Sequence, residues 1–112
     1  MARTLPDDFH LPTAAEGTDG MLRLAEMFGE LEFFRFLAVA HSSSSPAVEA
    51  RQILAARQVA AHLTRNPGIG YIKGRRAVAH ALGYTGAHMS NFNRLADPGR
   101  QLLLERGEWR FD

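Results

Sequence analysis

The chain predicts an all-α fold of about five helices. Three observations carry this. Apolar residues recur at steps of three and four through most of the 112 positions, helix start and stop signals flank those runs, and no run alternates for longer than Tyr71-Ile72. Residues 1–18, with Pro6, Pro12 and Gly17 among scattered acids, read as an irregular arm. Residues 19–41 read as one helix capped by Asp19, with Leu24, Met27, Phe28, Leu31, Phe34 and Ala38 on its inner stripe. Phe33, Phe36, Leu37 and Val39 widen that stripe almost all round, so the segment must be covered on more than one side. The serine run 42–45 breaks it, and Ser45 with Pro46 then supplies a capping hydroxyl and a first-turn proline for a helix over 46–65. Asn66-Pro67-Gly68 stops that helix, and the glycine-punctuated stretch to Gly74 reads as a linker or short wing. Helices are then expected over 75–82, 86–96 and 98–106, the last opened by Asp97-Pro98 and stopped by Gly107, which leaves a tail bearing Trp109 and Phe111.

The charge is unevenly placed. Residues 1–50 hold three Arg against eight acids, a balance of −5, whereas 51–112 hold ten basic residues against four acids, a balance of +6. Between Ala50 and Ala96 there is no Asp or Glu, yet seven cations occur: Arg51, Arg57, Arg65, Lys73, Arg75, Arg76 and Arg94. Such asymmetry points to a polyanionic partner for the second half. Twelve of the thirteen basic residues are Arg, which with abundant Ala and Gly fits coding in a GC-rich bacterium, its phage or a gene-transfer agent.

Other chemistries find little support. There is no cysteine, hence no disulfide framework or thiolate nucleophile, which fits a reducing cytoplasm. The first twelve residues carry two acids and no apolar run, unlike a signal peptide. The most apolar stretch, 31–40, falls far short of a membrane span and contains Glu32 and Arg35. His10, His41, His62, His80 and His88 lack the spacing and the neighbouring carboxylates of a metal site, so no metal is expected. The run 68–74 lacks the Lys-Ser/Thr ending of a phosphate loop, and no cofactor is expected. Paired acids occur as Asp7/Asp8 and as Glu30/Glu32, the latter on different helix faces, so no catalytic set assembles and no enzyme is expected.

Within the basic window, residues 76–95 have the features that two crossing helices and a tight turn require. Ala79 is small where the helices would cross, Gly83 can take a left-handed conformation four positions on, and Met89, Phe92 and Leu95 recur on the inner face of the second helix. This segment resembles a helix-turn-helix, the core of a trihelical C-terminal module within 46–112. Gly83-Tyr84-Thr85 followed by Met89-Ser90 and Phe92-Asn93-Arg94 resembles the second helix-turn-helix of AraC-type regulators. Ala56-Arg57-Gln58-Val59-Ala60 with Leu63 resembles the opening helix of the DNA-binding domain of DnaA. Thr85-Gly86-Ala87-His88 stands where DnaA carries an acid-histidine-threonine signature, and there is no room for its ATPase domain.

The resemblance implies double-stranded DNA as partner, with helix 86–95 in the major groove. Its outer residues Ala87, His88, Ser90, Asn91 and Arg94 are then the base contacts. Arg57, Arg65, Lys73, Arg75, Arg76, Thr85 and Gly86 are the expected phosphate contacts. The expected function is a cytoplasmic, nucleoid-associated transcription regulator working as a homodimer or with a partner protein. The alternative is a protein-interaction adaptor whose aromatic helix 21–39 is the working surface; Phe33, Phe36 and Trp109 are the candidate partner contacts. RNA binding ranks third, since only Tyr71 and Tyr84 lie among the cations as stacking rings.

Overall fold

The computed structural model describes residues 17–40 and 45–111, all of the regular structure among them helical. The expected arm lies outside the described residues except for Gly17 and Thr18, as do His10, His41 and most of the serine run. The chain divides into two compact units, 1–50 and 51–112.

In the first unit the expected single helix is two: α1 (Gly17–Phe28) and α2 (Glu30–Ala40). Gly29 sits between them at φ +98°, outside the helical region. The Phe33 N–H donates to the Gly29 carbonyl at 3.0 Å, so Gly29 provides the first acceptor of α2. Glu30 and Glu32 thereby fall in the first turn of α2, where the helix dipole favours negative charge. The break also resolves the over-wide apolar stripe. Two short helices pack on each other and bury Met21, Leu22 and Ala25 of α1 with Phe33, Phe34 and Leu37 of α2. Helix α3 (Ser45–Arg65) starts within this unit, and the Thr18 hydroxyl donates to Glu49 at 2.7 Å.

In the second unit, the rest of α3 is joined by α4 (Tyr71–Ala81), a 3₁₀ turn (Gly86–His88) and α5 (Met89–Glu105). The side chain of Asn66 and its backbone N–H both donate to the His62 carbonyl and end α3. Helix α4 starts four residues earlier than the sequence pattern predicts, taking up the supposed linker. Its Gly74 lies buried where a Cβ would meet Leu63 Cδ2 at 2.6 Å, so packing on α3 overrides the glycine punctuation.

The second difference is at Asp97-Pro98, which opens no new helix. Helix α5 runs straight through Pro98. An interior proline removes one backbone donor and costs about 3 kcal/mol. Against this, Phe92, Ala96, Gly99 and Leu103 form one buried stripe along the whole of α5. Burying Phe92 and Leu103 alone is worth about 1.5–3 kcal/mol each, so a continuous helix wins. Gly99 is the closest crossing: a Cβ there would lie 1.8 Å from the Gln52 carbonyl oxygen and 3.0 Å from Ala56 Cβ of α3. At the far end, Glu108 N–H donates to Leu103 O at 2.8 Å and Gly107 N–H to Leu104 O at 3.1 Å. This paired cap turns the tail back and buries Trp109 between Tyr71 and Phe111, with ring centroids 5.6 and 5.2 Å away. Among the described residues no helix is long and apolar enough to cross a membrane.

Candidate nucleic-acid interface

The turn between α4 and α5 is built by hydrogen bonds that the sequence specifies locally. Tyr84 N–H donates to Ala79 O at 2.9 Å and Gly83 N–H to His80 O at 3.1 Å, the two bonds of a Schellman cap. Gly83 lies at φ +93°, a conformation that costs a side-chain-bearing residue about 1 kcal/mol or more. The Tyr84 ring then packs 5.3 Å from Phe92, fixing the direction in which α5 leaves. Ala79 is fully buried at the crossing.

The helix expected over 86–95 begins more tightly than predicted. Thr85 is extended, Gly86–His88 forms the 3₁₀ turn with His88 N–H on Thr85 O at 3.0 Å, and the α-helix starts at Met89. The Thr85 hydroxyl makes no capping hydrogen bond. Phe92 and Ala96 are fully buried while Met89 and Leu95 are half-buried. Ala87, His88, Ser90, Asn91 and Arg94 are exposed, as are Thr85 and Gly86. The Ser90 hydroxyl donates back to the Ala87 carbonyl at 3.3 Å. The first turns of α5 thus present a polar, acid-free face with a small-residue lead-in.

Apart from the half-buried Arg51, the cations of the basic window divide into two groups. Arg57 of α3 reaches Glu108, at 3.1 Å from Nη2 to Oε2, and Arg106 joins the same carboxylate at 3.2 Å. Burial by itself would raise the Glu108 pKa, but hydrogen bonds from Arg106 and the Arg57 charge hold it below the usual carboxylate value. Arg75 of α4 is clasped by Asp97 of α5, Nη1 lying 2.8 and 2.9 Å from the two oxygens, and the Tyr71 hydroxyl donates to the same Asp97 at 2.6 Å. Burial, followed by that hydrogen bond, pushes the Tyr71 hydroxyl well above its ordinary range. The Arg100 guanidinium lies over the Tyr71 and Trp109 rings at 4.6 and 5.5 Å. Arg57 and Arg75, both expected on phosphates, are therefore engaged with carboxylates of this chain that lie just beyond the acid-free window.

Arg65, Lys73, Arg76 and Arg94 are exposed, and none pairs with a carboxylate among the described residues. Lys73, Arg76, Ala77 and His80 of α4, with Met89 of α5, line an open hollow of about 490 Å³. The sequence suggests His80 as a packing or phosphate-side residue, and it is exposed. The signal for it lies in the sequence as the 3-and-4 spacing 73, 76, 80, which one helix brings to one face. Of the candidate partner contacts, Phe33 and Trp109 are only 4% and 6% exposed and belong to packing. Phe36, at 40%, remains at the surface. No protein family, curated protein or solved structure was found to match the chain.

Proposed function

We propose that the chain is a sequence-specific, double-stranded-DNA-binding regulator of transcription in which α4, the Gly83 turn and α5 act as a helix-turn-helix. The observation that carries this reading is the outer face of the 3₁₀ turn and the start of α5. Ala87, His88, Ser90, Asn91 and Arg94 all stand clear of the core, without an acid among them, on an element anchored by Phe92 and Ala96. A helix that fits a major groove needs such a narrow, hydrogen-bonding face. Asn91 can pair both edge atoms of adenine and Arg94 those of guanine, each worth about 1–3 kcal/mol of discrimination. As the partner is DNA, the working compartment is the cytoplasm, on the nucleoid. A single small module has a modest interface, so a second copy or a partner protein would raise its specific affinity.

The test is selection of binding sites from random duplex DNA with wild type beside Asn91→Ala. Wild type is expected to enrich a short motif, and Asn91→Ala to relax it at one base pair. No enrichment by wild type, with the helical fold confirmed by circular dichroism, sinks the reading. The adaptor alternative now rests on Phe36 and Met27, which are 40% and 61% exposed in the acidic first unit.

A further inference from the structure

The exposed cations of α4 lie on one side of it. Lys73, Arg76 and His80 follow each other at steps of three and four, so they form a single stripe. Ala77 lies within that stripe, Met89 closes it at the first residue of α5, and together they line the hollow of about 490 Å³. Arg75, next in sequence to Arg76, is turned about 100° away around the helix and belongs to Asp97. The internal ion pair thus occupies one side of α4 and leaves Lys73, Arg76 and His80 on the other without a carboxylate beside them.

We infer that Lys73, Arg76 and His80 seat a phosphodiester of the DNA backbone; this rests on the DNA reading given above. The hollow is shallow and open, as contact with a duplex requires, and its lining carries no carboxylate that would repel a phosphate. Lys and Arg supply charge-assisted N–H···O bonds to the anionic oxygens, and the His80 imidazole N–H supplies one more donor. Since Met89 is both the edge of the hollow and the first residue of α5, a phosphate held there lies beside the reading face and sets its register on the duplex. Arg75 is a positioning residue that holds α4 on α5, and Arg57 is committed to Glu108; neither touches DNA.

The test is fluorescence anisotropy over a salt series, using the duplex enriched by wild type and a scrambled duplex. Each phosphate contact contributes about 0.9 to the slope of log affinity against log salt. Lys73→Ala/Arg76→Ala is expected to lower the slope by about 2 on both duplexes while the enriched site stays preferred, and Arg75→Ala is expected to leave the slope unchanged. Two results overturn the seat while sparing the DNA reading: a wild-type slope in the double variant with site preference intact, or a slope that falls in Arg75→Ala instead. Absence of wild-type binding to either duplex at low salt overturns both.

Discussion

The Tyr71 hydroxyl donates to Asp97 while Arg75 grips the same carboxylate, so two side chains of α4 share one acceptor group on α5. The sign of the pH dependence follows. With its pKa raised in the folded state, Tyr71 contributes stability that is fully present below about pH 10, its ordinary value, and is lost as pH rises toward the folded value. Chemical denaturation followed through the single tryptophan, Trp109, should show stability falling as pH rises above 10, and Tyr71→Phe should remove most of that fall. Glu108 works in the opposite direction. Its lowered pKa gives stability that is present above the ordinary carboxylate value of 4.5 and is lost as pH drops through the folded value. Both carboxylates show why the residue scale was only partly legible. The acid-free window was visible as a count along the chain, but Asp97 and Glu108 stand just outside it and reach back through space to Arg75 and Arg57. The exposed set at 87, 88, 90, 91 and 94 was legible, because helical periodicity alone separates it from Met89, Phe92 and Leu95.

At the scale of elements, the number of helices was readable and their partition was not. Gly29 leaves no mark on the apolar period, which continues across it, and Asp97-Pro98 carries a strong local start signal, a capping acid before proline. In both places the deciding interaction is tertiary packing: mutual burial of the neighbouring α1 and α2 in the first, and the approach of α5 to the sequence-distant α3 in the second. Gly99→Ala tests the second. The substitution gains about 1 kcal/mol of helix propensity, but its methyl group would sit 1.8 Å from a backbone oxygen, and overpacking of that kind costs about 3 kcal/mol or more when backbone must move. A net loss of at least about 2 kcal/mol is expected, with Ser90→Ala as a near-neutral control on the same helix. Equal stability of the two variants would mean that α5 does not lie against Gln52. The Gly83 turn, by contrast, was legible in full, since its cap is a contact between residues at most five apart.

For the whole molecule, the electrostatic boundary and the structural one coincide: the −5 and +6 halves of the sequence are the two compact units, 1–50 and 51–112. A net charge of +1 therefore understates the attraction that the second unit can exert on a polyanion at close range. Phe36→Asp separates the two functional readings at this scale. In a DNA-binding regulator it leaves affinity for duplex DNA within a factor of about 2, as expected for an exposed site within the acidic unit. In an adaptor, it removes the biological effect while the fold persists, as read by circular dichroism. The inner positions of α5 are fixed by contact with backbone and core, whereas the side chains at 87 and 88 of the 3₁₀ turn and at 91 and 94 of α5 are exposed. Exchange at those four positions leaves the scaffold folded, so in the DNA reading proposed above a new target would be reached by substitution on one outward face, with stability left almost untouched.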